Sequence, residues 1–572
     1  MNASALTPSV ADRADRMRLG ELAAGPIATG GRGGTVVVEG AGSASRTTIS
    51  WWIGAEDRWH RPADEASARH RLVDGAPVLE CLVRVPSGDA VGRIAAARVD
   101  GADRPSVILD VENSSPLPVA FAWVVESTEP ITSSVDGLAI AGVGTLSLTR
   151  PALGYATGGS LDTLADVVSG GDVAAEPPAD HIAGAAALMV PLPHTAHAVA
   201  VFTPDPAIAV GAPAAAVDRE RVPAPDRIVA GWTAHRAEHP RIDAGDARRD
   251  ATLAAATADL LMGPWVDDDS ALVAGTIAEA LGRLGRVDTP GHLIDVVESQ
   301  RGNGSVDDDD PVAATAQLLA AAGAWWNGGC DAEFGELLVG PVANALRWLS
   351  SRRRRSSLGG RERSIEAAVR AVDGLLVDLG QPEAAADARR FADDLVAGLP
   401  DAADDAPHDA AADGPDAPAT ATALASLGDR LAWVDAAGHP AVATSARFVS
   451  DAVAEIAHER NGSLVLLDGW RPAQAGLPIE AHGVPTRWGS LSFGVRWHGE
   501  RPALLWEIEP WSHRPQALAP VRLTAPRLDP AWSGDAATGE ALLAAPAGAP
   551  TPEPPPAPPT TGSDPIDGGS FT

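Results

Sequence analysis

The chain has 572 residues, 45% of them apolar, and a formal net charge of −32 from 76 acidic against 44 basic side chains. That length fits roughly three to five domains with full-sized cores, and that charge repels phosphate backbones and anionic lipid, which excludes general nucleic-acid and membrane-surface binding. Every basic side chain is Arg and none is Lys, so a Lys-dependent phosphate loop, a pyridoxal Schiff base and a Ser-Lys hydrolase are excluded as well.

Residues 1–34 read as a flexible lead-in, polar and Ala-rich, without the continuous apolar core of a signal peptide. No uncharged apolar run reaches the length of about 18 residues that a membrane-spanning helix needs. The two cysteines, Cys81 and Cys330, stand far apart and outside any Cys-x-x-Cys spacing. Isolated thiols suit a reducing compartment, and a cytoplasmic location is expected.

From Thr35 short apolar runs alternate with Gly, Pro, Asp and Asn. Leu79, Cys81, Val83 and Val85 share one face of a strand while Glu80 and Arg84 share the other. Val119, Phe121, Trp123 and Val125 repeat that period of two, and Val107–Val111, Ala186–Val190 and Ala198–Phe202 read as further strands. Residues 35–230 are therefore predicted to form an antiparallel β-sandwich. The Pro-, Ala- and charge-rich stretch that follows makes 231–245 a linker.

Between 246 and 460 the period becomes helical. Val273, Ile277, Leu281 and Leu284 form one stripe, and Ile365, Val369, Val372, Leu376 and Leu379 another. Further helices are predicted near 247–262, 290–300, 311–325, 331–350, 382–398, 418–432 and 441–459, with a loose Asp/Ala/Pro stretch at 401–417. The period returns to two in 461–540, where Leu491, Phe493, Val495 and Trp497 point one way and a hairpin partner carries Leu504, Trp506 and Ile508. Residues 541–572 are a Pro-rich tail expected to be disordered. The fold class is multidomain α+β.

Gly30-Gly31-Arg32-Gly33-Gly34 precedes a strand instead of following one, the wrong order for a dinucleotide loop. No Gly-x-Ser-x-Gly elbow occurs. The 14 histidines include no His-Glu-x-x-His pair, so neither a metal site nor a cofactor is expected. Arg352–Arg355 reads as a solvated loop between two helices, at a helix C-terminus where cations suit the dipole, with a site for a phosphorylated ligand or an acidic partner as the alternative. Asp267, Asp268 and Asp269 precede one helix, and Asp307, Asp308, Asp309 and Asp310 precede another. Such acids cap free backbone N–H groups, yet a row of four exceeds what a cap needs. Their functional reading is a carboxylate-lined mouth where paired acids bind hydroxyls or act as acid and base. Sixteen Trp accompany a single Tyr. Trp265, Trp325 and Trp326 lie near element ends as candidate stacking platforms, with burial in the core as the alternative. Glu298 and Glu459 are isolated acids placed near helix ends.

The succession "IAEALGRL" (277–284), "LIDVVESQRGNGSV" (293–306), "DPVAATAQLL" (310–319) and "DAEFGELLVGPVANALRWL" (331–349) resembles the six-hairpin, or (α/α) toroid, glycosidase superfamily, including glucoamylase-like and debranching-like proteins. The Gln300–Ser305 turn and the Asp331-x-x-Phe334 helix opening carry the likeness. "LVLLDG" (464–469) and "GVPTRWGSLSFGVRW" (483–497) resemble the small β domain that follows such toroids. The resemblance implies a toroid-like helical domain at 246–460, here with fewer than twelve predicted helices, between two β domains. It also implies a neutral oligosaccharide or α-glucan ligand, hydrolysed by a carboxylate pair drawn from Asp267–Asp269 and Asp307–Asp310 beside Trp265. The alternative is a non-catalytic carbohydrate-sensing or scaffold protein that keeps the fold without the catalytic acids.

Overall fold

A computed structural model describes residues 17–39, 46–86, 88–263, 270–288, 290–355, 358, 361–397, 441–514 and 520–546. Expectations for Trp265, Asp267, Asp268, Asp269, residues 401–417, a helix near 418–432 and the tail beyond 546 lie outside the described residues.

The alternating segments of the N-terminal half become fifteen strands of one antiparallel sheet. The sheet begins upstream of Thr35: Met17–Gly20 and Pro26–Gly31, inside the expected lead-in, pair with each other because Leu19 and Ala28 bury their side chains in the sheet's core. The sheet curls over that core. Trp51 on Arg46–Gly54 and Gly92 on Gly88–Arg98 are far apart along the strand path, yet they press together. A Cβ on Gly92 would lie 2.8–3.0 Å from three atoms of the Trp51 indole. Trp51 is fully buried, with Phe121 stacked at 6.5 Å and Trp123 edge-on to Phe121 at 4.9 Å. The ring has nowhere to go. Gly92→Ala is therefore expected to cost about 1–3 kcal/mol by overpacking, read as a lower urea midpoint. An unchanged midpoint would show that the two layers do not press together there.

The opposite face of the same strands carries a charged row. Arg71, Glu80, Arg93 and Asp110 stand directly opposite one another across four neighbouring strands. Arg71 and Arg93 bond Glu80 at 2.5 and 2.9 Å, Arg93 reaches Glu112 at 3.0 Å, and His197 bonds Asp110 at 2.6 Å. Glu80 and Asp110 are buried, and these partners meet their carboxyl oxygens where water cannot. A short helix, α1 (Leu161–Gly170), packs elsewhere on the sheet behind a Ser160–Thr163 capping box.

Farther along that charged face, α2 (Pro225–Arg236) and α3 (Ala247–Met262) lay Trp232, Leu261 and Met262 against Val78, Ala95, Ile108 and Val199. The expected linker is thus tied down on both sides. α2 docks on the N-terminal sheet, and Arg241–Asp243 pairs as a strand with Ile479–Thr486.

The helical stripes give α4 (Ala271–Arg283), α5 (Gly291–Glu298), α6 (Pro311–Asn327), α7 (Ala332–Arg355), α8 (Glu362–Ala371), α9 (Asp373–Asp378), α10 (Pro382–Val396) and α11 (Ala441–Ile456). The predicted single helix over 365–379 is broken at Val372 into α8 and α9. Packing runs as an arc: α3 against α11, α11 against α4, α4 against α6, α6 against α8, and α8 against α10. Arg352–Arg355 is the last turn of α7, not a loop.

The quoted motifs are joints of this arc. Gln300 donates its amide to the carbonyls of Gly304 at 3.1 Å and Pro341 at 3.0 Å. Gly304 has φ 95°, and a Cβ there would sit 2.4 Å from the Asn344 carbonyl oxygen. Asp331 caps α7 by accepting from the Phe334 N–H at 2.7 Å. Two smaller sheets follow. One contains Arg241–Asp243, Ile479–Thr486, Gly489–His498, Arg501–Pro510 and Thr538–Leu542. The other contains Ala457–Arg460, Ser463–Leu466, Leu523–Ala525 and Asp529–Gly534. Leu491, Phe493, Val495, Leu504 and Ile508 fill a core shared with α3, α4 and α11. Among the described residues no helix is long and apolar enough to cross a membrane.

Candidate functional site

A cavity of about 750 Å³ opens where the ends of α4, α6 and α11 and the flank of α8 meet the C-terminal strands. Arg283, Asn327 and Glu455 come from the C-terminal ends of α4, α6 and α11, Glu366 and Arg370 from α8, and Glu459 from the strand Ala457–Arg460. The turn Arg487-Trp488 between two strands closes one side. In the lining, Arg283, Arg363, Arg370, Arg460 and Arg487 stand against Glu366, Asp451, Glu455, Glu459 and Asp468. Five guanidinium groups thus face five acidic side chains in a strongly acidic chain. Such a wall offers donors and acceptors to hydroxyl groups.

One side of the cavity rests on a buried charge cluster. Arg487 is 4% exposed and bridges two carboxylates, Glu459 at 2.9 Å and Asp378 at 3.4 Å. Its guanidinium lies 4.8 Å from the Trp488 ring centre. Asp378 also accepts from Trp326 Nε1 at 2.9 Å. The break at Val372 starts α9 with Asp373, which takes a two-pronged bond from Arg389 at 2.6 and 2.9 Å. Burial pushes the Glu459 carboxyl up to about 7. Arg487 opposes that rise, and the nearby Asp373 and Asp378 add to it. Burial raises Asp378 too, against the pull of Arg487. Beside the cavity Glu279 on α4 behaves oppositely. Burial acts against its charge, but Arg283, Gln317 and Arg447 together hold it below the usual carboxylate range.

Asp307–Asp310 stand elsewhere. They precede α6, whereas the cavity meets its other end at Asn327. At 1.5 Å per residue that is roughly 24 Å away. Asp308 caps α4 by accepting from Leu272 N–H at 3.1 Å and Ser270 Oγ at 3.0 Å. Asp310 caps α6 through Ala313 N–H at 3.2 Å and pairs with Arg361 at 2.6 Å. Asp307 pairs with Arg301, and Asp309 is exposed. Trp325 is fully buried and donates to the Ala278 carbonyl at 2.7 Å. Trp326 is 3% exposed and lies 3.9 Å beneath the Arg514 guanidinium. Neither indole offers an open face for stacking.

Sequence reading singled out Glu459 as an isolated acid but not Arg487, Asp373 or Asp378. The signal for Arg487 was an Arg-Trp pair in the tight turn of "GVPTRWGSLSFGVRW", where a surface turn has no need of a large aromatic next to a cation.

No family model matches the sequence, and neither does any curated protein. Among solved structures the chain is similar to a bacterial glucoamylase complexed with acarbose, at 11% identity and TM-score 0.38, over 67% of this chain and 69% of that one. It is also similar to the gh92 family glycosyl hydrolase ccman5, at 12% identity and TM-score 0.27, over 67% of this chain and 62% of that one. At such scores neither structure carries its chemistry over to this chain.

Proposed function

We propose that this is a glycosidase-like protein that takes a neutral oligosaccharide in the cavity between its helical arc and its C-terminal sheets, with Glu459 as the proton donor. The observation that carries this reading is the buried Glu459 carboxyl in the wall of a cavity lined by arginines and acids, raised to about 7. A carboxyl in that range is protonated often enough near neutrality to protonate a leaving glycosidic oxygen. Its partner as base or nucleophile would come from the other acids of the wall, Glu366, Asp451, Glu455 or Asp468. The arc of helices, together with the Gln300–Ser305 and Asp331–Phe334 joints, supports a toroid-like reading of 246–460.

The second reading, a non-catalytic sugar-binding protein, is favoured by the engagement of those same acids. Arg370 holds Glu366, Arg249 holds Glu455, Arg447 bonds Asp451 at 3.1 Å, and His458 and Arg527 stand 3.8 and 3.5 Å from Asp468. One assay separates the two readings. Wild-type protein is incubated with a panel of neutral oligosaccharides between pH 4 and 9. The enzyme reading expects release of reducing sugar that declines above about pH 7 as Glu459 ionises. Binding without turnover supports the second reading, and neither binding nor turnover removes both.

A further inference from the structure

The chain contains three Asn-Gly steps, Asn303-Gly304, Asn327-Gly328 and Asn461-Gly462. Such a step is chemically weak, because the glycine nitrogen is unhindered and can attack the carbonyl carbon of the asparagine side chain. The fold treats the three unequally. Gly304 N–H donates to the Arg301 carbonyl at 2.8 Å, and Gly328 N–H donates to the Ala324 carbonyl at 2.7 Å. Both glycines are buried and wedged against main chain. A Cβ would lie 2.4 Å from the Asn344 carbonyl oxygen at Gly304 and 2.5 Å from the Gly282 carbonyl oxygen at Gly328. Neither nitrogen can be freed and turned onto its asparagine without opening the packing around it.

Asn461-Gly462 is different. It forms the two-residue turn between the strands Ala457–Arg460 and Ser463–Leu466, with Arg460 directly opposite Ser463. Asn461 has φ 53° and Gly462 φ 72°, the doubly left-handed turn for which Asn-Gly is a favoured sequence. Both residues are exposed, and nothing lies within 4 Å of a Cβ built on Gly462. The Gly462 N–H has no hydrogen-bond partner among the described residues. Arg370 Nη1 donates to Asn461 Oδ1 at 2.7 Å, while Glu366 and Asp393 hold the other nitrogens of the same guanidinium. A fixed cation thus stands at the oxygen on which negative charge grows when the carbonyl carbon is attacked. We propose that Asn461 is a self-modifying site, deamidating ahead of Asn303 and Asn327 in the folded protein. The Gly462 nitrogen gives its proton to water and bonds to Asn461 Cγ. The amide nitrogen takes up a proton and leaves as ammonia, and a five-membered imide remains. Water opens that ring at either carbonyl, giving aspartate or isoaspartate. Aspartate sets a new carboxylate against Arg370, in competition with Glu366. Isoaspartate adds one main-chain carbon to the turn that follows Glu459 and Arg460. Arg370, Glu366, Glu459 and Arg460 all line the cavity, so the mark falls on its wall, whatever the cavity binds.

The test holds full-length protein at pH 8, with and without urea, and follows each asparagine over time by peptide mapping and mass spectrometry. Digestion at acidic pH keeps the reaction from running on during the work-up. In urea the three steps are expected to react within a few-fold of one another, because each asparagine precedes the same residue. In the folded protein Asn461 is expected to react tenfold or more faster than Asn303 and Asn327. Far-UV circular dichroism checks that the chain without urea stays folded throughout. Asn461→Gly, which suits the left-handed turn and has no amide to lose, should remove the leading product and leave the other two rates unchanged. A lead of less than tenfold in the folded protein, or a leading product that persists in Asn461→Gly, overturns the proposal.

Discussion

Replacing Glu459 by Gln is expected to lower turnover of a neutral oligosaccharide by about 10²–10⁴-fold, the usual contribution of a general acid, while making the protein more stable at neutral pH. Gln keeps an oxygen that accepts from Arg487, so the bridge to Asp378 retains its geometry. What it loses is the transferable proton. The stability change follows from linkage. The folded carboxyl sits at about 7 against an ordinary value of 4.5. Below 4.5 it is protonated whether the chain is folded or not and contributes nothing. Between 4.5 and 7 the unfolded chain ionises first, so folding is progressively disfavoured. Above 7 the full penalty of about 3 kcal/mol is present. Wild type should therefore lose stability relative to Glu459→Gln as pH rises through that window. Urea unfolding of both proteins at pH 4.5 and pH 8 reads the difference. A gap that does not widen with pH would mean that Glu459 is not held protonated, and full turnover by the variant would mean that another group donates the proton.

Arg487→Ala is expected to cost about 3–5 kcal/mol at pH 8, the usual result of removing one partner from a buried ion pair. The guanidinium is the shared counter-ion of Glu459 and Asp378. Arg389 stays committed to Asp373 on the other side of α9. Without Arg487, two carboxylates that burial already pushes upward would have to ionise together. The cost should shrink at pH 5, where Glu459 accepts a proton. Adding Glu459→Gln to the Arg487→Ala protein should recover part of the loss, because one of the stranded charges is gone. That coupling is measurable as a double-mutant cycle. A loss under about 1 kcal/mol at pH 8, or one that is the same at both pH values, would place the guanidinium outside the electrostatics of this cluster.

Much of the architecture could be read locally. The stripe Val273, Ile277, Leu281 and Leu284 is buried on α4 as spaced, and the alternation of Leu491, Phe493 and Val495 gives an inward face in the C-terminal sheet. Local reading failed where one pattern has two outcomes. α6 is buried almost all round from Ala314 to Trp326, so its sequence has no polar face to show which way Trp325 and Trp326 point. Both turned inward. The Asp307–Asp310 run combines two caps, two ion pairs and an exposed acid, roles set by partners at Ser270, Leu272, Arg301 and Arg361. The candidate site was harder still. Asp378, Glu459 and Arg487 come from a helix, a strand and a turn that meet only when the arc closes on the C-terminal sheets. Glu459 drew notice as a lone acid, but its raised carboxyl depends on neighbours that no window of sequence contains.

The charged row on the N-terminal sheet acts as a check on strand alignment. Sliding the strand Val78–Val85 by one residue against Gly88–Arg98 would turn Glu80 into the apolar core. Sliding it by two would keep the face but set Glu80 opposite Val91 or Ala95 instead of Arg93. Either mistake takes Arg93 away from a buried carboxylate that needs it, a heavy penalty for a misaligned chain. Apolar side chains tolerate approximate neighbours, whereas Glu80 tolerates only Arg71 and Arg93. The long sheet, with many similar Val- and Ala-rich strands to confuse, thus carries its own proofreading mark. Neutralising that mark should show less in the melting temperature than in the fraction of chains that refold to a single native form.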